Sequence, residues 1–189
     1  DSLAEKRFAT KMLNDLAFSD LNLGNYLLAI QQYENVISRA EGQGQSKEKR
    51  RAINEIGICF KRQGNYAKAL EQFEQALSWS EAISDDRGIS HALNNIGVVY
   101  RNQGNLEMAL EYYIAGLDIS QKYFGEKSTA LPLNNIATIY RSMDDCDKAQ
   151  EYNKRARSIS EKYTNNSQLG RSLMGSGLCY LKQDQHDLA

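Results

Sequence analysis

The stretch Asn94-Asn95-Ile96-Gly97-Val98-Val99-Tyr100-Arg101-Asn102-Gln103-Gly104-Asn105-Leu106-Glu107-Met108-Ala109 carries, in order, an apolar residue, a small one, an aromatic, a glycine turn and an alanine. The same order stands 40 residues earlier as Ile56, Gly57, Phe60, Gly64 and Ala69, and 40 residues later as Ile136, Ala137, Tyr140, Asp144 and Ala149. Gly24-Asn25-Tyr26 marks a copy nearer the start, and Asp184-Gln185-His186 a decayed one near the end. The alanine itself recurs as Ala29, Ala69, Ala109, Ala149 and Ala189. A constant interval without insertions predicts one supersecondary unit stacked on copies of itself.

Each copy divides into two amphipathic helices. In the second copy the spacing predicts a first helix over about 49–63, with Ile53, Ile56, Gly57 and Phe60 on its apolar stripe. Gly64 ends it, because a left-handed backbone is accessible to glycine at little cost. A second helix from about Asn65 buries Ala69, Leu70, Phe73, Ala76 and Leu77, then stops in the polar turn Ser84-Asp85-Asp86-Arg87-Gly88. The small slot (Ala17, Gly57, Gly97, Ala137, Gly177) is expected where two helix backbones approach closely, with the aromatic slot (Phe60, Tyr100, Tyr140, Tyr180) supplying bulk beside it. The single proline, Pro132, falls in a first helical turn, where its missing N–H is no loss.

These residues resemble the tetratricopeptide repeat family, with Gln103 to Ala109 and Asn94 to Tyr100 as the closest matches to its pattern. The family's usual period is about 34 residues. The spacing of 40, with openings such as Leu93-Asn94-Asn95-Ile96-Gly97, is closer to the longer repeats of kinesin light chains and bacterial signalling proteins. The resemblance implies an all-α, right-handed superhelix (an α-solenoid) of antiparallel helix pairs. A single array would span 1–189, with repeats at about 10–43, 50–83, 90–123 and 130–163 and a partial fifth at 170–189. Residues 1–9 would extend the first helix.

Two departures qualify the pattern. Asp20 occupies the aromatic slot of the first copy. Gln150, Asn153 and Arg157 replace Leu110, Tyr113 and Leu117 of the copy before, so the fourth copy's second helix is expected to pack less well there, or to face solvent or a partner.

Composition narrows the function. With 41% hydrophobic and 25% charged residues and a net charge of -1, the chain lacks the basic footprint of a nonspecific nucleic-acid binder. No apolar run approaches the roughly 20 residues of a membrane span, and no secretory h-region opens the chain. The start without methionine and the end in mid-repeat read as a piece of a longer protein. The compartment therefore stays open, with the cytoplasm as the default expectation. Two histidines, His91 and His186, and no metal-ligand spacing or phosphate loop argue against catalysis, a metal or a cofactor. Cys59 and Cys179 share a slot with Val99 and Ile139, and Cys146 that of Tyr26 and Tyr66, so all three read as packing residues. Trp79, in a slot shared with Ile119 and Ile159, reads the same way.

In arrays of this family the first helices of successive repeats line the concave surface. The slots facing it would carry Asn14, Asn54, Asn94 and Asn134, then Asp15, Glu55, Asn95 and Asn135, and a turn later Lys61, Arg101 and Arg141. Lys11, Arg51, Arg62, Arg171 and Lys182 lie towards the helix ends. Amides can grip an extended peptide backbone, and cations add charge-assisted bonds to carboxylates. The resemblance implies that asparagines matching Asn95 and Asn135 contact bound peptide. The alternative use of the same residues is structural, an asparagine ladder between neighbouring helices or a merely solvated face.

The expectation is a non-catalytic scaffold for an extended or acidic peptide, held by Asn54, Asn94, Asn95, Asn134, Asn135, Lys61, Arg101 and Arg141. The rival keeps the fold as the sensory or regulatory region of a larger bacterial signalling protein, a histidine kinase or transcription regulator. It includes self-association through an open carboxyl-terminal end.

Overall fold

The computed structural model describes residues 2–187, without the side chains beyond position 181, so the expectations for Lys182, His186 and Ala189 lie outside the described residues. Two compact units divide at Val99 and Tyr100. The first holds α1 (Leu3–Leu23), α2 (Tyr26–Gly42), α3 (Ser46–Arg62) and α4 (Tyr66–Ala82). The division falls within α5 (Asp86–Asn102). The second unit continues with α6 (Leu106–Phe124), a short 3-10 helix (Glu126–Ser128), α7 (Ala130–Ser142), α8 (Cys146–Lys162) and α9 (Asn166–Asp187). Among the described residues there is no strand.

Turns of two or three residues build these hairpins. Gly24, Gly44, Gly64, Ser84, Gly104, Asp144 and Thr164 all take positive φ, at intervals that are multiples of 20 residues. After each, the next amide reaches back to close the preceding helix: Asn65 to the Phe60 carbonyl at 2.9 Å, Asp85 to Ser80 at 2.8 Å, Asn165 to Ser160 at 2.8 Å. This is the Schellman closure, which satisfies carbonyls that a helix end would otherwise leave open. The same residue then caps the following helix. The side chains of Asn65, Asn105, Asp145 and Asn165 accept from the amides of Lys68, Met108, Lys148 and Gln168 at 3.0–3.3 Å. One dipeptide thus ends one helix and starts the next.

The exception lies before α7. There α6 runs on to Phe124, Gly125 adopts a different conformation, and the 3-10 helix delays α7 to Ala130. The chain keeps its count of 40 but not its geometry. Pro132 does fall in the first turn of α7.

Packing within each unit follows the slots, with one correction. A Cβ on Gly57 would come within 2.6 Å of the Phe73 ring, so at Gly57 the small slot admits a side chain of the following helix and not a neighbouring backbone. Phe73 and its counterparts at the same position of α2 and α6, Tyr33 and Tyr113, are among the largest fully buried side chains. The aromatic slot instead pairs with the helix that follows it. Tyr100 stacks on Tyr112, and Tyr140 on Tyr152, each with ring centroids 5.5 Å apart. Asp20 in this slot is buried and accepts hydrogen bonds from Gln32 Nε2 at 2.9 Å and Asn25 Nδ2 at 3.0 Å, a polar substitute for a ring pair. In the fourth copy Asn153 is buried against Gly175 of α9, whereas Arg157 is exposed and bonds Glu161.

Candidate functional site

The odd-numbered helices α1, α3, α5, α7 and α9 carry the residues expected to face a partner, and burial separates these residues into two kinds. Lys61, Asn94, Asn95, Arg101 and Arg141 are half-buried. Asn54, Asn134 and Asn135 are buried, at 6%, 4% and 6% exposure, and do not lie on the open face as expected. Two of them join successive repeats. Asn95 Nδ2 donates to Asn54 Oδ1 at 2.8 Å, linking α5 to α3. Asn134 Nδ2 donates to both the carbonyl and the side-chain oxygen of Gln168 at 3.0 Å, linking α7 to α9. The amide ladder is therefore present in both units, and burial of amides is tolerated because these bonds replace those to water.

Two phenols of even-numbered helices, Tyr33 on α2 and Tyr113 on α6, are fully buried. The Tyr33 and Tyr113 hydroxyls are buried and have no hydrogen-bond partner. Burial raises the Tyr33 phenol well above its ordinary value, and the nearby charges of Glu55 and Asp15 act in the same direction. Burial pushes Tyr113 up to about 12, with Arg101 and Arg171 pulling the other way. The equivalent position between them is Phe73, which carries no hydroxyl.

The surroundings of the two phenols differ in sign. In the first unit Glu55 is largely buried, which raises its carboxyl above the ordinary value despite Asn54, Lys61, Arg50 and Arg51. Between α1 and α3 a cavity of about 400 Å³ is lined by Arg7, Lys11, Asn14, Asp15, Glu48 and Arg51, mixing both signs. Arg7 was missed because it precedes the first recognisable repeat. Arg62, expected among the facing cations, directs Nη1 to the Leu21 carbonyl at 3.4 Å and so serves the end of α1. In the second unit the charges that act on Tyr113 are the guanidinium ions of Arg101 and Arg171.

Among the described residues no group of three or more His, Cys, Asp or Glu could hold a metal ion. The three cysteines are free and buried. Burial pushes the Cys59 thiol up to about 11 and the Cys179 thiol, which also meets Cys146, up to about 12. Thiols so placed are protonated and inert at neutral pH. No helix among the described residues is long and apolar enough to cross a membrane.

The family model of the tetratricopeptide repeat matches residues 8–82, 88–162 and 128–189. The chain belongs to the tetratricopeptide repeat family. A search of the curated proteins gave no match. Solved structures share the fold of these tetratricopeptide repeats at low identity. Aspartyl phosphate phosphatase F from Bacillus subtilis superposes with a TM-score of 0.87 at 17% identity, over 100% of this chain and 48% of that one. The Rap conjugation gene regulator of the plasmid pLS20, in complex with the Phr peptide, gives 0.78 at 15% identity over 89% and 46%. A kinesin light chain with nearly identical TPR-like repeats from Podosopora anserina gives 0.67 at 16% over 94% and 91%. The chain spans about half the length of the phosphatase and of the conjugation regulator.

Proposed function

We propose that this tetratricopeptide chain is a non-catalytic scaffold that binds an extended, acidic protein segment on the open faces of its odd-numbered helices. The observation that carries the reading is that Arg101 and Arg141, 40 residues apart at the same position of α5 and α7, are only half-buried, which leaves two cations of the second unit accessible to a ligand. On the second unit Arg101 and Arg141 would pair with acidic side chains, and on the first unit Asn94, Asn95 and Lys61 offer polar groups of their own. Asn54, Asn134 and Asn135 would act by holding the helices that carry these contacts. A preordered wall loses little entropy on binding, so the segment bears most of that cost. The likeness to the conjugation regulator, whose structure holds a peptide, supports the partner class. The near-neutral net charge of -1 supports protein over nucleic acid.

The test is selection from a random peptide library with the wild-type chain and with the Arg101→Glu, Arg141→Glu double variant. Enrichment of acidic peptides by the wild type alone, at equal helicity, is expected. Equal enrichment by both proteins would remove the reading.

A second reading has its own support. The first and last helices expose apolar side chains, Phe8, Met12 and Leu16 on α1, and Met174, Tyr180 and Leu181 at 62%, 59% and 63% exposure on α9. Faces of this kind are where further chain, or a second copy, would stack. In that reading the repeats are the sensory or regulatory region of a larger signalling protein, acting through self-association. Light scattering across concentrations checks it: a mass that never rises above one chain argues against association.

A further inference from the structure

The two units contain a seam at matching sequence positions, offset by 80 residues, and close it differently, the second with a 3-10 helix where the first has the opening turn of α3. In the first unit the seam of α2 and α4 over the start of α3 is filled by Trp79. Its Nε1 donates to the Ser46 carbonyl at 3.2 Å, and the Lys49 ammonium lies 3.9 Å from its ring centroid. Lys49 in turn pairs with Glu41. The cavity left there measures about 290 Å³. In the second unit the matching positions are Ile159 for Trp79, Glu126 for Ser46, Thr129 for Lys49 and Gln121 for Glu41. Neither the indole nor the ammonium is present, and a cavity of about 410 Å³ opens between α6 and α8 over α7.

This cavity has an apolar floor and a basic rim. Leu117 and Leu133, both buried, form the floor with Ile159. Lys154 and Arg155 stand at the rim where the first unit has Glu74 and Gln75, so the sign of the rim is reversed. The one carboxylate at the lining, Glu126, is held by Lys162 at 2.5 Å and by the Tyr163 hydroxyl at 3.2 Å. It therefore does little to neutralise the two rim cations. The Arg155 guanidinium rests 5.4 Å from the Tyr152 ring centroid, which orients it without cancelling its charge.

We propose that this cavity is a binding site for an indole-sized aromatic ring that carries a carboxylate. The ring would take the space that Trp79 fills in the first unit, and its carboxylate would meet Lys154 and Arg155 at the rim. The volume lies within the range of small-ligand pockets, about 300–1,000 Å³, and the lining has their usual mixture of an apolar floor and few charged groups. The site lies away from the helix faces assigned above to a peptide, and it stands or falls independently of that assignment.

Calorimetric titration of the full chain with indole-3-acetate tests it, with indole and the cationic indole-3-ethylamine as comparators. Indole-3-acetate is expected to bind, and the amine to bind at least about tenfold more weakly. Lys154→Glu with Arg155→Glu, both exposed, should weaken indole-3-acetate by about tenfold or more, the scale of two lost charge-assisted contacts. Thr129→Lys with Ile159→Trp, which rebuilds the first unit's plug, should abolish it. Circular dichroism checks that each variant folds, and the exposed charge-reversed pair keeps the test valid if the plugged variant does not. The peptide acetyl-Asp-Trp-Glu-amide separates the sources. Binding with the same sensitivity to the variants assigns the group to a partner protein, and binding of the free acid alone assigns it to a small molecule. No binding of indole-3-acetate, equal binding of the amine, or indifference to both variants would overturn the proposal.

Discussion

The first unit closes its seams with charge and an indole, whereas the second uses rings and leaves space. Beside Trp79 the first unit buries an ion pair, Arg50 Nε to Asp85 Oδ2 at 3.2 Å, with side chains 7% and 10% exposed. Eighty residues later the same positions hold Ala130 and Asn165. Asp20 and Gln32 hydrogen-bond in the first unit where Tyr140 and Tyr152 stack in the second. The lesson is that a repeat constrains volume and polar satisfaction at each seam more strongly than it constrains chemistry. Whatever the seams do not need is free to diverge in sign, as the surroundings of Tyr33 and Tyr113 do.

The largest effect that tests this contrast lies in the buried pair. Asp85→Ala should destabilise by about 3–5 kcal/mol, because it leaves the Arg50 guanidinium buried and unpaired. Burial already lowers the pKa of Arg50, while Asp85 opposes that shift. Asn165→Ala, at the equivalent turn, removes only a cap to Gln168 and should cost about 1 kcal/mol. Chemical denaturation of both variants checks the ratio, and equal losses would mean that the two seams do not differ energetically.

Glu55 supplies the next effect, through pH. Its folded-state pKa is raised above the ordinary 4.5, mainly by burial. Stability from this group is thus fully present below about pH 4.5 and is lost as pH rises through the folded value. Glu55→Gln should melt higher than the wild type at pH 7, and the gap should close as pH falls below 4.5. A constant gap across that range would show that the carboxyl is not strained by burial. The smallest effect is at Thr164, a β-branched residue at φ 52°. Thr164→Gly should stabilise by about 1 kcal/mol by relieving the left-handed backbone, whereas Gly64→Thr should do the reverse.

Much of this fold was legible in the residues. Gly24, Gly64 and Gly104 announce the turns because few other residues take positive φ readily. Ser84, Asp144 and Thr164 adopt it too, each followed by an amide that closes the preceding helix, so the left-handed turn was not announced by a glycine at these positions. The delay before α7 was equally invisible, since the spacing of 40 is unbroken there. The candidate faces were legible in part. Helical periodicity places Asn54 and Asn95 near the same surface, but adjacent residues on a helix point about 100° apart, and only coordinates show that one amide turns into the seam. The plug formed by Trp79 and Lys49 depends on three helices meeting, which no single-repeat alignment displays.

Side-chain and backbone chemical-shift mapping of the labelled chain, titrated with an acidic peptide recovered from the library, addresses the central claim most directly. The account expects the largest shifts at Arg101, Arg141 and Arg171 and in the Tyr113 ring, with the even-numbered helices otherwise unmoved. Shifts confined to the even-numbered helices, or none at all with a peptide that binds, would contradict it.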